Sequence, residues 1–264
     1  MTRSEHDFTL KIRLFYQDNR RQFAWRSDPS PYRVAVSELM LQQTQIGRVA
    51  SYFDRWVERF EDFQSLAQAP TEDVLRSWQG LGYNRRALWL RDMAQRVTTQ
   101  YNGELPRDPE VLVTFGGVGP NTAGSMAAFA YQWPAVFIET NIRRTFIHEF
   151  FPDAIDVHDR ALLSLIEATL DRDNPRDWYY ALMDYGAYLA TTTRNPNRRS
   201  AHYSRQSRFM GSRREIRGQV IKQLLEGPRA MREFGISDGR LDLVLATLCE
   251  EGFARFQDGR YEIP

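Results

Sequence analysis

Apolar residues recur every three or four positions along most of the first 190 residues. This spacing places them on one face of a helix, so it predicts amphipathic α-helices. The predicted helices cover residues 7–18, 34–41, 46–60, 71–77, 85–100, 121–131, 141–150, 159–170 and 177–189. Pro106, Pro109 and Glu110 predict a short helix that ends at Thr114, since proline fits the first helical turn. No segment before residue 250 alternates as a strand does, and the pattern indicates a mainly α fold.

The pattern changes after residue 190. Residues 191–214 lose the apolar periodicity and are rich in arginine, which is typical of a linker. Helical spacing returns over 215–225, 230–234 and 238–250, with Asp238 as a candidate cap of the last helix. Residues 252–263 alternate around Asp258-Gly259, which is typical of a type I′ hairpin. We therefore predict a helical domain at 1–190, an Arg-rich linker at 191–214 and a small winged-helix-like α+β domain at 215–264.

The 264-residue chain has a hydrophobic content of 42%, which is enough for a sizeable core in one or two domains. No apolar run reaches the roughly 18 residues that span a bilayer, and residues 1–17 lack the apolar stretch of a secretory signal. Cys249 is the only cysteine. A single thiol excludes a disulfide framework, a Cys-based zinc site and a cysteine-ligated iron–sulfur cluster. We expect no metal or cofactor, no membrane contact and a cytoplasmic location.

The formal net charge is only +1, but arginine greatly outnumbers lysine and one segment is especially rich in arginine. Two of the 35 basic residues are lysines and the others are arginines, which bind phosphate better than lysines do. A GC-rich genome would enrich arginine in the same way. Residues 190–217 contain eight arginines and one acid, Glu215, which favours contact with a polyanion, while a solvated linker is the alternative.

A glycine-rich turn and the acid behind it hold the clearest candidate chemistry. Gly116, Gly117 and Gly119 allow positive φ angles and a close approach of the backbone to a bulky ligand. Pro120 then starts the next helix, whose first N–H groups favour a phosphate. Glu139 follows about twenty residues later in an apolar setting, where it could act on the sugar that the turn positions. Gly-x-Gly turns also commonly connect two helices without any binding role. The flanking residues are therefore needed to assign a function to this turn.

Four motifs in the right order resemble those of the helix–hairpin–helix superfamily of DNA glycosylases that includes endonuclease III and MutY. Residues 115–124, FGGVGPNTAG, are similar to its hairpin, and residues 37–45, SELMLQQTQ, are very close to the segment typical of MutY-type adenine glycosylases. Residues 80–87, GLGYNRRA, and 141–144, NIRR, are similar to two further motifs. The resemblance covers most of residues 8–190. It implies the helix–hairpin–helix glycosylase fold of two helical lobes, and as partner a double-stranded DNA with a mismatched or damaged base. We expect a monomer.

Removal of a base needs an acid that protonates the leaving base and a carboxylate that stabilises the cationic sugar. Glu38 lies among Val36, Leu39 and other apolar residues, and such surroundings raise the pKa of a carboxyl group. The resemblance implies that Glu38 protonates a ring nitrogen of adenine. Glu139 precedes a helix that starts at Asn141, where the dipole favours an anion, so we expect it to stay ionised and to stabilise or attack the sugar. Pairing or capping within a helix is the alternative role of each acid.

Two candidate catalytic positions depart from the family pattern. The family has an aspartate where this chain has Glu139, and the extra methylene moves the carboxylate by about an ångström, which can cost on the order of a hundredfold in rate. Asn121 stands where bifunctional members carry a lysine that forms a Schiff base with the sugar and then cuts the strand. Asn121 cannot do this, so the sequence predicts a monofunctional enzyme that leaves an abasic site.

The resemblance also implies a set of DNA contacts. Gln42, Gln43 and Tyr83 are expected to fill or wedge the gap left by a flipped-out base. Phosphates are expected to contact Arg85, Gly117, Gly119, Thr122, Arg143, Arg198 and Arg199. An ordinary surface position is the alternative for the polar side chains.

Two parts of the family pattern are missing. Many relatives carry a four-cysteine iron–sulfur loop after the last helix of the glycosylase domain, but here Ala190 stands at the first cysteine position, so the chain is identified as a clusterless member. MutY-type enzymes also carry a C-terminal domain that senses 8-oxoguanine opposite the adenine. Residues 215–264 are too few for that domain and differ in pattern. They are expected to contact the other strand, to clamp DNA or to bind a protein.

Three functions remain open from the sequence. The first is a monofunctional adenine DNA glycosylase of base excision repair, acting opposite G or 8-oxoguanine at the nucleoid. The second is a thymine or uracil glycosylase for G mismatches, because related enzymes also carry a glutamate at the position of Glu38. The third is a non-catalytic DNA-binding protein in which Glu139 is the relic of an active site, and the retained Glu38 argues against it.

Overall fold

The computed structural model describes residues 2–204 and 208–264, and Arg205 of the predicted linker lies outside them. Within this part of the chain the protein has fourteen α-helices and two strands. The helices are α1 (Arg3–Asn19), α2 (Ala24–Ser27), α3 (Pro31–Leu41), α4 (Ile46–Arg59), α5 (Phe63–Gln68), α6 (Thr71–Trp78), α7 (Arg85–Gln100), α8 (Pro109–Leu112), α9 (Pro120–Tyr131), α10 (Thr140–Phe150), α11 (Asp159–Thr169), α12 (Pro175–Thr192), α13 (Arg213–Leu224) and α14 (Leu241–Glu250). The strands are β1 (Arg255–Gln257) and β2 (Arg260–Glu262), and the predicted mainly α fold is confirmed.

The helices form where the apolar spacing placed them. In α4, Val49, Phe53 and Trp56 recur at intervals of four and three and are buried. Two short helices, α2 and α5, were not predicted. Helix α5 has six residues and is held by a reciprocal capping box, in which Asp62 accepts from the Ser65 backbone N–H and the Ser65 side chain bonds back. Helices this short carry too few apolar positions to show a period.

The described residues fall into two compact units, the first within Met1–Glu38 and Glu104–Arg205 and the second within Leu39–Gly103 and Gln206–Pro264. The boundaries predicted at residues 190 and 214 stay a prediction. In the first unit, α10 packs on α12, α11 and the 3-10 turn Pro196–Arg199, and α1 packs on α12. In the second unit, α5 and α6 pack on α7, and the Trp56 and Trp78 rings meet edge to face at 5.3 Å.

The C-terminal residues form the predicted three helical segments and hairpin. Helix α13, a 3-10 turn at Met231–Phe234 and α14 are followed by the antiparallel pair β1–β2. Asp258 and Gly259 have φ angles of 49° and 76°, and two positive φ angles are what a type I′ turn requires. Asp238 is not the helix cap, because α14 begins at Leu241 and Asp238 instead accepts from the Arg240 backbone N–H at 2.9 Å.

The segment after α12 is anchored to the first unit by polar contacts. Asn197 is buried and donates to the Thr140 carbonyl at 2.9 Å. Arg199 donates to the carbonyls of Pro152 and Ile147 at 2.5 and 3.2 Å. Ser200 forms an isolated parallel bridge with Val157. These contacts hold a stretch without apolar periodicity against α10.

Gly186 sets how closely α12 approaches α10. A Cβ atom there would lie 2.2 Å from the Asn141 carbonyl oxygen, which is backbone and cannot rotate away. We expect Gly186→Ala to lower the free energy of unfolding by about 1–3 kcal/mol, the range for overpacking. Chemical denaturation measures the change. Gly47→Ala in α4 is the matched control, since nothing lies within 4 Å of its added methyl group and it should be neutral or stabilising. Equal stability of the two variants would contradict the close approach.

Among the described residues, no helix combines the length and the apolar character that crossing a bilayer requires.

Candidate active site

Glu38 lies in the last turn and a half of α3 and is partly buried. The Ser125 hydroxyl donates a short hydrogen bond to Glu38 Oε2. Burial raises the pKa of the Glu38 carboxyl to about 7, and the negative charge of Glu139 acts in the same direction. The Ser125 hydrogen bond and the positive charge of Arg26 act in the opposite direction. A carboxyl group with a pKa near neutral pH can hold a proton and donate it, which suits a general acid.

Glu139 is the N-cap of α10. Its Oε1 accepts from the backbone N–H groups of Asn141 and Ile142, both at 2.7 Å, and its Oε2 accepts from Asn141 Nδ2 at 3.2 Å. Burial is the largest effect on the Glu139 carboxyl and raises its pKa above the ordinary value, whereas the two backbone donors, Arg144 and Arg143 act in the opposite direction. All three donors bond to the Glu139 carboxylate oxygens, and such bonds favour the ionised form. The Glu139 side chain therefore folds onto the N-terminus of α10, the helix that was predicted to follow it.

A second layer of contacts fixes the Asn141 side chain. Arg144 Nη1 donates to Asn141 Oδ1 at 2.6 Å and to the Gly186 carbonyl at 2.8 Å. Because Asn141 Oδ1 is occupied, its Nδ2 is oriented toward Glu139. Arg144 is buried and its charge favours the ionised form of Glu139. Arg144 therefore acts on the acid through Asn141.

The glycine-rich turn leads directly into α9. Gly117 has a φ angle of 75°, whereas Gly119 is the N-cap of α9 with a φ angle of −84°. Positive φ is thus needed at Gly117 and not at Gly119. Asn121 is exposed in the first turn of α9, and its Oδ1 accepts from the Ile138 backbone N–H at 3.1 Å. Thr122 is partly buried in the same turn.

The first unit thus brings together two carboxyl groups that lie about a hundred residues apart in sequence. Helix α3 supplies Glu38, α9 supplies Ser125 and the start of α10 supplies Glu139. The charge of Glu139 acts on Glu38, so protonation of one is favoured while the other is ionised. One acid and one carboxylate in one site can protonate a leaving group and stabilise a developing cation.

The predicted phosphate-binding arginines of the first unit have different surroundings. Arg143 forms a two-point ion pair with Asp159 at 2.8 and 2.6 Å. Arg198 is exposed at the 3-10 turn, whereas Arg199 holds carbonyl groups of its own unit. Their contact with DNA stays a prediction.

In the second unit, Arg86 joins two of the sequence motifs. Its buried guanidinium donates to the carbonyls of Leu39, Met40 and Gln42 at 2.8, 2.8 and 2.5 Å, and to that of Gly82 at 2.8 Å. Burial lowers the pKa of Arg86 to about 10. The end of α3 and the loop before α7 are therefore held by one side chain.

The predicted wedge residues lie on these two loops. Gln43 and Tyr83 have φ angles of 53° and 48°, an unusual conformation for residues with a side chain. The Tyr83 hydroxyl accepts from Arg214 Nη1 at 2.5 Å. Arg85 pairs with Glu251 at 2.9 Å. Contacts with residues 214 and 251 are too distant in sequence to have been inferred from the motif.

Sequence reasoning missed three residues that shape the sites: Ser125, Arg144 and Arg86. Ser125 carried a usable signal, since it is a hydroxyl in the middle of the apolar run AGSMAAF of α9. Arg144 and Arg86 carried none, because each follows another arginine and the sequence does not tell which one is buried.

Arg26 of α2, whose positive charge acts to lower the pKa of Glu38, belongs to a buried ion pair. Arg26 donates to both carboxylate oxygens of Asp184 at 2.9 and 3.0 Å, and its guanidinium lies 4.2 Å from the centre of the Tyr180 ring. Arg21 donates to the same carboxylate at 2.6 Å. Both members of the Arg26–Asp184 pair are buried.

Loss of the Asp184 charge should be costly, because it leaves Arg26 buried and unneutralised. We expect Asp184→Asn to lower the free energy of unfolding by about 3–5 kcal/mol. Glu167→Gln is the control, since Glu167 pairs with Arg172 at 3.9 Å with both side chains well exposed, and such a pair contributes at most about 1 kcal/mol. Urea denaturation of the two variants tests this, and similar midpoints would show that the buried pair is dispensable.

The fold and the carboxyl pair are those of a helix–hairpin–helix repair protein. Comparison of the chain with known proteins identifies its family. Residues 36–179 match the family described as HhH-GPD superfamily base excision DNA repair protein. The chain belongs to this superfamily. It is 31% identical to the adenine DNA glycosylase of Mycobacterium tuberculosis H37Rv over a 304-residue alignment, which covers 100% of this chain and 96% of that protein.

Solved structures agree on the fold. A thermostable thymine-DNA glycosylase aligns with a TM-score of 0.64 and 23% identity over 73% of this chain and 90% of that chain. Endonuclease III in a non-covalent DNA complex aligns with a TM-score of 0.59 and 17% identity over 71% of this chain and 87% of that chain. The expected helix–hairpin–helix glycosylase fold is confirmed.

The residues present do not fit the iron–sulfur cluster of many relatives. Such a cluster needs four thiolates, and the chain has Cys249 alone, on α14. Ala190 occupies an exposed position near the end of α12, and the residues that follow are held by Asn197 and Arg199 as described above.

Proposed function

We propose that the protein is a monofunctional DNA glycosylase that hydrolyses the N-glycosidic bond of an adenine mispaired with G or 8-oxoguanine and leaves an abasic site. The observation that carries the proposal is the pairing of Glu38, whose pKa lies at about 7, with Glu139, whose carboxylate is held by the N-terminus of α10. The 31% identity to an adenine DNA glycosylase over the whole chain supports adenine as the base.

In the proposed reaction, Glu38 donates its proton to a ring nitrogen of the flipped-out adenine. The electron pair of the N-glycosidic bond then leaves with the base, and the sugar becomes an oxocarbenium-like cation. Glu139 stabilises that cation. Water adds to the sugar carbon and loses a proton, and the products are free adenine and an abasic site. Ser125 holds Glu38 in position through its hydroxyl.

Asn121 supports hydrolysis without strand cleavage, because its amide cannot form a Schiff base with the sugar. The single cysteine supports catalysis without an iron–sulfur cluster. We also propose that the protein acts as a monomer. Because the proposed substrate is a mismatch in duplex DNA, we place the protein at the nucleoid in the cytoplasm.

The test is cleavage of end-labelled duplexes that carry A, T or U opposite G or 8-oxoguanine, with and without hot alkali. We expect product from the adenine duplexes after alkali treatment only. Strand breaks without alkali would contradict the monofunctional mechanism. Product from the T or U duplexes alone would assign the protein to the thymine or uracil glycosylases, and binding without product on any duplex would make it a non-catalytic protein.

A further inference from the structure

A cavity of about 880 Å³ lies within the second unit, and we call it the basic cleft. It is bounded by the loop after α3, the loop before α7 and one face of α13. Among the described residues, its lining contains six cations, namely Arg48, Arg85, Arg86, Arg214, Arg217 and Lys222. Glu251 is the one carboxylate among the lining residues that the structure describes, and it is shared between Arg85 at 2.9 Å and Arg217 at 2.6 Å. The cleft therefore keeps an excess of positive charge, which attracts a polyanion.

Aromatic rings are interleaved with these cations. Two guanidinium groups, those of Arg86 and Arg214, lie near the Tyr83 ring, each 5.5 Å from the ring centre. Arg85 lies 5.6 Å from the centre of the Trp89 ring. Phe209 also lines the cleft and is 56% exposed. Rings beside cations bind nucleic-acid bases by stacking, and they do so without regard to sequence.

Part of the remaining lining suits the edges of bases. Its amide side chains are Gln42, Gln43, Gln45, Gln79 and Asn84, and each amide offers both donors and an acceptor. On α13 the cleft is lined by Gly218, where nothing lies within 4 Å of an added Cβ. The absence of a side chain there leaves room for a planar group.

We propose that the basic cleft binds an unpaired stretch of DNA strand, with α13 supplying phosphate contacts and the aromatic rings supplying stacking. Paired bases in a duplex cover one another's faces, so they cannot stack on Phe209 or Trp89. A cleft of this volume encloses a ligand of one or two nucleotides, which is the scale of a locally unpaired segment. The proposal gives the C-terminal segment a role that its sequence left open.

This inference rests on the proposed function for one point only, namely that the bound polyanion is DNA. It is tested in the Glu38→Gln protein, in which the DNA stays intact during the measurement. Fluorescence anisotropy gives the dissociation constant of a single strand of about ten nucleotides, a typical site size, over a range of salt concentrations. A fully paired duplex of the same sequence is the comparison ligand.

Three exposed lining residues are changed one at a time: Arg48→Glu, Lys222→Glu and Phe209→Ala. Each charge reversal should weaken single-strand binding by about tenfold or more and should reduce the salt slope by about 0.7. Phe209→Ala should weaken it by about tenfold through loss of stacking. The matched controls, Arg232→Glu and Phe256→Ala, change exposed residues of the same segment that do not line the cleft, and they should bind as the parent does.

Lining variants that bind no worse than the controls would overturn the proposal, and so would an equal loss of affinity for the paired duplex. The outcomes separate the two proposals. If the native protein excises adenine while the lining variants bind single strands normally, the cleft proposal fails alone. If excision is absent on every duplex while the lining variants lose single-strand binding, the proposed function fails alone.

Discussion

Glu38→Gln should reduce adenine excision by at least about a hundredfold, because general acid catalysis contributes about 10²–10⁴ to the rate. The amide keeps the size of the side chain and can still accept a hydrogen bond from Ser125, so DNA binding should remain. Single-turnover excision and anisotropy, measured on one duplex, separate the two effects. The native enzyme should lose activity as the pH rises through about 7, where Glu38 gives up its proton.

The same substitution should stabilise the protein in alkaline solution. The pKa of Glu38 is raised from 4.5 to about 7 in the folded state. The folded state therefore holds a proton that the unfolded state releases, and stability falls as the pH rises from about 4.5 to about 7. The loss amounts to at most about 3 kcal/mol. The glutamine side chain of the variant carries no charge, so we expect a gain of up to that size at pH 8 and little gain at pH 5.

Glu58→Gln is the control for this pair of effects, since Glu58 is an exposed residue of α4. It should change neither excision nor the pH dependence of the melting temperature. Excision that survives in Glu38→Gln would identify another residue as the acid. The free energies of unfolding of the native and Glu38→Gln proteins should differ by an amount that changes with pH. If that difference is the same at every pH, Glu38 is not buried enough to keep its proton.

Glu139→Asn should abolish most activity with little loss of stability. Asparagine caps helices as well as an acid does, so the N–H groups of Asn141 and Ile142 keep an acceptor. The negative charge beside the developing sugar cation is lost, and removal of one such electrostatic partner costs about 10²–10³ in rate. Single-turnover rates and thermal melting of the same preparation measure both quantities.

Two further substitutions divide the roles of Glu139. Glu139→Ala removes charge and cap together, so it should also lower the free energy of unfolding by about 1 kcal/mol. Glu139→Asp introduces the acid that the resemblance predicts at this position and keeps a good cap, so its activity should equal or exceed that of the native protein. A Glu139→Asn enzyme that retains full activity would leave this acid with the role of a cap alone.

Helices and the hairpin followed from local sequence, whereas the partners of side chains did not. The period of Val49, Phe53 and Trp56 and the Asp258-Gly259 pair act over a few residues, and their physics is visible in the sequence. Glu38 and Glu139 could be proposed as a pair through the resemblance. The Ser125 hydroxyl on Glu38 spans 87 residues, and no periodicity reports such a contact.

The C-terminal segment shows the same limit. Its helices and turn were predicted, but the contact of Arg214 with Tyr83 joins residues 131 apart. Long-range contacts depend on how units pack, and one sequence does not encode them as a local pattern. The Glu139 carboxylate accepts hydrogen bonds from backbone N–H groups at the start of α10, and the cost in rate of its extra methylene stays a prediction.

The guanidinium of Arg86 has a consequence for recognition. It binds carbonyl groups on both sides of a gap of about forty residues, at Met40 and at Gly82. The loop after α3 and the loop before α7 therefore form one preorganised surface. Neither loop would have to lose conformational freedom separately if this surface binds DNA. A surface whose conformational entropy was already lost during folding loses little more on association, so the predicted DNA contacts of Gln43 and Tyr83 would incur little further entropic cost.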